Sequence, residues 1–288
     1  MEGPPGTSLE PRRPDAGILS QPCLDTMPVI KKHNVHIRGN GDAVIMFAHG
    51  FGCDQNMWRH VAPAFERTHQ VVLFDHIGAG DSDLSAFDPS EYTSLSRYAD
   101  DVIAILRRLG KQQAVFVGHS VSAMIGVLAA NKMPELFSKL VLVGPSPCYI
   151  NDGDYFGGFE RSDINSLLDF LEDNYLGWSQ AMAPAIMGNP DRPELGQELT
   201  SSFCRTDPKI AKQFAAVTFL SDNRADLDKC TVPALVMQCS DDVIAPIEVG
   251  KYMHRHLRGS SFVQLKATGH CPNLSAPEET VAAIKSYI

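Results

Sequence analysis

The sequence has no run of about twenty apolar residues, so no segment of it is expected to span a bilayer as a helix. Nor do its first thirty residues, rich in Pro, Gly and Ser and carrying Arg12 and Arg13, contain the continuous apolar stretch of a secretory signal. Residues 1–30 read as a flexible extension. Basic residues are in deficit, with 25 Lys and Arg against 34 Asp and Glu and a net charge of -9. Tracking a phosphate backbone relies on clustered cations that release counterions, so no nucleic-acid partner is expected. The seven cysteines, Cys23, Cys53, Cys148, Cys204, Cys230, Cys239 and Cys271, are odd in number and include no Cys-x-x-Cys pair that would seat a metal. They read as reduced thiols of a cytoplasmic protein, with no metal, organic cofactor or membrane partner.

What is present is an ordinary globular composition, 44% hydrophobic and 20% charged, over 288 residues, long enough to bury a large core without covalent staples. Short β-branched runs at Val44–Ala48, Val71–Phe74, Ala114–Val117, Leu140–Val143, Ala234–Gln238 and Ser261–Leu265 predict strands, preceded by a weaker run over Val35–Arg38. Helical patterns alternate with them. Leu95, Tyr98, Ala99, Val102, Leu106 and Leu109 recur at helical spacing before the stop signal Gly110. This alternation predicts an α/β fold with a mostly parallel central sheet and helices on both faces. It breaks between Pro147 and Asp226, where four helical patterns follow one another, punctuated by Gly157-Gly158, Gly188-Asn189-Pro190 and Asp207-Pro208. The expected organisation is therefore a core of residues 31–147 and 227–288 and a helical cap of residues 148–226, inserted over the carboxyl edge of the sheet.

Chemistry concentrates at the predicted strand ends. Gly118-His119-Ser120-Val121-Ser122 runs from a buried strand into a helix of small residues, the pattern of an elbow that exposes a nucleophilic hydroxyl at a helix N-terminus. Taken alone, it also fits a plain strand-to-helix turn with a capping serine. The usual last glycine is Ser122, small enough for close approach of helix and strand. A serine needs a base and a group to orient that base. Two later strand ends supply them: Cys239-Ser240-Asp241-Asp242 and Ala267-Thr268-Gly269-His270. The chain order Ser, Asp, His suits this arrangement. Asp242 is preferred over Asp241 because Pro246 is expected in the first turn of the next helix, leaving Asp242 in the loop. His254 and His256 are expected on an exposed helix instead. After the strand Val44–Ala48, the loop His49-Gly50-Phe51-Gly52 is the expected oxyanion hole, with the backbone N–H groups of Phe51 and Val121 as donors, each worth about 3 kcal/mol in such sites. His49 is expected to support that loop. Asp75-His76-Ile77-Gly78-Ala79-Gly80-Asp81-Ser82 lacks the Lys of a phosphate-binding loop and reads as scaffold.

From about residue 32 the sequence resembles the α/β-hydrolase family that contains the bacterial stress regulator RsbQ and the plant strigolactone and karrikin receptors. The similarity lies in Gly50-Phe-Gly-Cys-Asp-Gln55, Gly118-His-Ser-Val-Ser-Ala-Met-Ile-Gly126, Gly144-Pro-Ser-Pro-Cys-Tyr-Ile-Asn-Asp152, Gly157-Gly-Phe159 and Gly269-His-Cys-Pro272. Ser122 looks like the plant receptors, whereas Gly144–Asp152 and the contexts of Cys239 and Cys271 look more like RsbQ. The resemblance implies an α/β-hydrolase fold with a four-helix, V-shaped cap over a deep apolar pocket lined by Phe51, Phe159, Trp178, Met182 and Phe219. It also implies Ser120, His270 and Asp242 as the catalytic residues and a small hydrophobic ester or lactone as substrate. The resemblance leaves two roles open, a hydrolase or a ligand receptor that engages a signalling protein.

Overall fold

The computed structural model describes Met1 and residues 28–110 and 113–288. The extension expected over residues 1–30, with Cys23, lies largely outside them. Its last residues do not match that expectation: Pro28–Lys32 forms a helical turn whose Ile30 is buried in the core, because an apolar side chain there has core surface to cover.

Among the described residues seven strands form one sheet: β1 (His36–Arg38), β2 (Ala43–Ala48), β3 (His69–Leu73), β4 (Ala114–His119), β5 (Phe137–Val143), β6 (Ala234–Gln238) and β7 (Ser261–Gln264). Their order is β1-β3-β2-β4-β5-β6-β7, with only β1 antiparallel to its neighbour. Parallel strands covered on both faces become continuous apolar runs, and every residue of β4 is buried. The run in β3 begins at His69, two residues before the expected start, where polar side chains hide the pattern. Parallel crossovers are right-handed, so the change of direction after β3 sends the β2–β3 connection to one face and the β3–β4 and β4–β5 connections to the other.

Among helices of ten or more residues, α1 (Leu95–Leu109) and α2 (Val121–Lys132) flank β4 in sequence. The α1 stripe of Leu95, Tyr98, Val102, Leu106 and Leu109 is buried, and Gly110 ends the helix in the left-handed conformation, at φ 59°. Four more helices are inserted between β5 and β6: α3 (Arg161–Asp173), α4 (Tyr175–Met187), α5 (Pro193–Arg205) and α6 (Pro208–Phe219). Their starts are chemically marked. Glu160 and Asp163 form a reciprocal capping box for α3, Asp207 accepts from the Lys209 and Ile210 amides of α6, and Pro193 and Pro208 open α5 and α6. Helices α7 (Ile247–His256) and α8 (Pro277–Tyr287) complete the chain.

The inserted helices are pinned to the loops at the carboxyl ends of the strands. The His270 amide donates to the Ile186 carbonyl in the last turn of α4, and Ser202 in α5 donates to the Gly52 carbonyl at 2.9 Å. Arg205 pairs with Asp54, and Arg192 donates to the Ser275 carbonyl. At Gly269, φ is 77° and a Cβ would collide with the Met187 carbonyl, so only glycine suits this junction. Gly269→Ala is expected to lower stability by about 2–4 kcal/mol, combining backbone strain with a displaced helix end. A urea midpoint identical to that of the wild type would contradict this docking geometry.

Candidate active site

Loops from β4, β6 and β7 converge at one edge of the sheet. Ser120 directly follows β4 with φ 57° and ψ -125°, a conformation that a non-glycine residue adopts only at a cost of order 1–3 kcal/mol. The surrounding contacts enforce it. The Ser120 amide donates to the Val143 carbonyl at 2.8 Å, and a Cβ at Gly118 would strike the backbone of Ser122 and Ala123. The small residues of the elbow therefore let α2 start immediately after the strand.

His270 lies between the other two groups. Its Nε2 is 2.8 Å from Ser120 Oγ and its Nδ1 is 2.7 Å from Asp242 Oδ2. The second oxygen of Asp242 accepts from the Ile244 and Ala245 amides at 2.9 and 3.0 Å. Asp242 can only accept when ionised, so it takes the Nδ1–H and leaves Nε2 as acceptor for the serine hydroxyl. All three side chains are buried. Asp241 does not join them; its carbonyl accepts from the Gly269 amide and its backbone bridges Thr268, tying the two loops together. Pro246, expected in the first turn of the following helix, instead precedes α7 as its cap residue in extended conformation. The two amides on Asp242 Oδ1 are what hold this carboxylate.

The loop after β2 approaches the elbow closely, with room at Gly50 for a hydrogen only: a Cβ there would lie 2.7 Å from His119 Nδ1. No acceptor among the described residues takes the amide hydrogens of Phe51 or Val121. His49 accepts the His76 amide at Nε2 and donates from Nδ1 to the Gly50 carbonyl at 2.9 Å. Ser122 has a role that its size alone did not reveal. His76 Nε2 donates to Ser122 Oγ at 2.7 Å, and that hydroxyl donates to the His49 carbonyl at 2.5 Å, linking elbow and loop. A hydroxyl where the usual pattern has glycine was the signal available in sequence. The Asp75–Ser82 loop is braced through Asp75, which accepts from the Asn34 side chain and from the Gln55 and Asp81 amides.

A cavity of about 30 Å³ touches Ser120 and His270, lined also by Phe51, Cys53, Ile186, Leu199, Phe203 and Phe219. That is room for one water, not for a deep pocket. Three residues expected in its lining are elsewhere. Trp178 is wholly buried one layer back, stacked on Phe203 at 5.3 Å and edge-on to Phe51. Met182 and Phe159 are half-buried and pack against the core without reaching the cavity. On α4 the residues Trp178, Met182 and Ile186 share a stripe, and only the last points to the cavity, because the turn carrying Ile186 docks on the His270 loop. Cys53 and Cys271 are lining residues that sequence reading missed. Burial pushes the Cys53 thiol up to about 12, with Asp54 adding to the shift, and the Cys271 thiol well above its usual range, so both stay protonated and weakly nucleophilic.

Burial lowers His119 to about 3, assisted by the nearby His270, and holds His76 well below the usual histidine range. In the unfolded chain both rings take protons near pH 6.5. The unfolded state therefore binds more protons between that pH and the folded values, so stability is full above about pH 6.5 and falls as pH drops toward 3. Thermal midpoints should decline steadily on acidification below about pH 6.5. A midpoint that is flat from pH 7 to pH 4 would contradict two buried neutral histidines.

Comparison with known proteins agrees with this architecture. A model of the alpha/beta hydrolase family matches residues 45–283. The chain is 40% identical over 261 residues to the Petunia hybrida karrikin insensitive 2 receptor CA, spanning 90% of this chain and 97% of the relative. It is 41% identical over 252 residues to the Arabidopsis thaliana strigolactone esterase D14, spanning 87% and 94%. A solved hydrolase from Oleispira antarctica, 40% identical, superposes with a TM-score of 0.88 over 90% of this chain and 95% of that one. The convergence of a nucleophile elbow, a seven-stranded sheet and these likenesses shows that the chain belongs to the alpha/beta hydrolase family, together with the plant karrikin receptors and strigolactone esterases.

Proposed function

We propose that this protein is a serine hydrolase acting on a small hydrophobic ester or lactone through an acyl-enzyme, with Ser120 as nucleophile, His270 as base and Asp242 as its orienting group. The observation that carries this reading is the unbroken contact from Ser120 Oγ through His270 to Asp242, at 2.8 and 2.7 Å, beside an apolar cavity. Ser120 attacks the acyl carbonyl while His270 Nε2 takes its proton. The Phe51 and Val121 amides donate to the oxygen that becomes negative, and Asp242 stabilises the imidazolium. His270 then returns the proton to the leaving alcohol, and water repeats the sequence to release the acid. In a lactone the leaving alcohol stays tethered to the acyl group throughout, and the second step releases a single hydroxy acid.

A second reading has its own support. The cavity's volume of about 30 Å³ is too small for the substrate as it stands, so a ligand must displace side chains or helices of the insertion. Binding energy spent on that displacement couples the ligand to the outer surface, as a receptor with a signalling-protein partner requires. Slow turnover with a ligand-dependent fall in melting temperature is the signature of this role, whereas rapid multiple turnover belongs to the enzyme.

Ser120→Ala should reduce hydrolysis of p-nitrophenyl acetate by at least about 10³-fold, the scale seen when triad nucleophiles are removed. Because the walls are close, kcat/KM should also fall by about 10-fold or more from the acetate to the octanoate ester. Undiminished activity in Ser120→Ala, or a preference for long acyl chains, would overturn the respective statement.

A further inference from the structure

The imidazole that links Ser120 to Asp242 is itself carried by a short loop, and the backbone of that loop is held from two sides. On one side the His270 amide donates to Ile186 in α4. On the other, the His270 carbonyl accepts a hydrogen bond of 2.7 Å from Nε2 of His119. His119 is the last residue of β4 and immediately precedes the nucleophile, so the donor is fixed to the same rigid strand end as Ser120. Its ring lies 5.0 Å from the His270 ring at 49°, and 6.5 Å from Trp58 in an edge contact. It is 2% exposed, and its Nδ1 has no hydrogen-bond partner among the described residues. The side chain therefore makes one directed polar contact, and that contact is to the residue bearing the base.

The proposed triad needs its hydroxyl and imidazole held within hydrogen-bond reach, but Ser120 and His270 are 150 residues apart in sequence. The loop preceding His270 contains Gly269 at φ 77°, which by itself restricts the backbone little. We propose that His119 is a positioning residue: its Nε2–H to the His270 carbonyl sets the distance between the His270 imidazole and the Ser120 hydroxyl. This inference rests on the serine-hydrolase reading above. Burial keeps His119 neutral down to about pH 3, so the donor persists at working pH and adds no charge beside the imidazolium that forms on His270. Removing the donor leaves a buried carbonyl unpaired and frees the loop to drift.

The test compares wild type, Ser120→Ala, His119→Gln, His119→Asn and His119→Leu in the full chain, with p-nitrophenyl acetate as substrate and melting temperature measured in parallel. A glutamine amide reaches the place of Nε2, an asparagine amide stops short, and leucine donates nothing. The expected result is a fall in kcat of about 100-fold for Leu and Asn with KM nearly unchanged, and recovery of most of that loss in Gln. Wild-type kcat in Leu, or equal impairment of Gln and Leu, overturns the proposal. Should Leu fail to fold, the Asn and Gln pair decides: equal kcat in those two overturns it. Full hydrolysis by Ser120→Ala would remove the serine-hydrolase reading and this inference together, whereas loss in Ser120→Ala with no effect in the His119 series removes this inference alone.

Discussion

The geometry of this protein turns on a single buried contact, the 2.8 Å approach of His270 Nε2 to Ser120 Oγ. Neither partner sits there by local preference. Ser120 occupies a left-handed backbone conformation that the Val143 carbonyl and the close approach of α2 impose. His270 sits in a loop whose carbonyl, amide and ring are all engaged, by His119, Ile186 and Asp242 respectively. Strain at the elbow is thus balanced by contacts distributed over the sheet edge and the inserted helices.

The inserted helices contribute to the site rather than only covering it. Helix α4 accepts from the His270 amide, and α5 reaches the loop after β2 through Ser202 and Arg205. A ligand larger than the 30 Å³ cavity must disturb side chains attached to these same helices. Occupancy of the site and the position of the helices are therefore linked, whichever role the hydrolysis serves.

Much of this was legible in sequence, for identifiable physical reasons. Parallel strands buried on both faces produce continuous apolar runs, so most strands and the loops at their ends were visible. Ser120, Asp242 and His270, which the structure brings into contact, each follow such a run. Pro246 did not place Asp242 as expected: it caps α7, and the Ile244 and Ala245 amides hold the carboxylate instead. The cavity lining was legible only in part, since Phe51 and Phe219 line it but Phe159, Trp178 and Met182 do not. Which face of α4 meets the site depends on how its last turn docks against Gly269, a long-range contact with no local trace, so Ile186 lines the cavity while Trp178 buttresses it from behind. Ser122 and His119 stood in the motif itself, but their partners, His49, His76 and His270, lie far along the chain.

The central claim is that a covalent bond forms between substrate and one particular oxygen. Rapid acid quenching during turnover of p-nitrophenyl acetate, followed by peptide mass mapping, reads this directly. The account predicts one acetyl group, carried by the peptide containing Ser120. Acetylation of another residue in its place, with Ser120 unmodified while product accumulates, would contradict it.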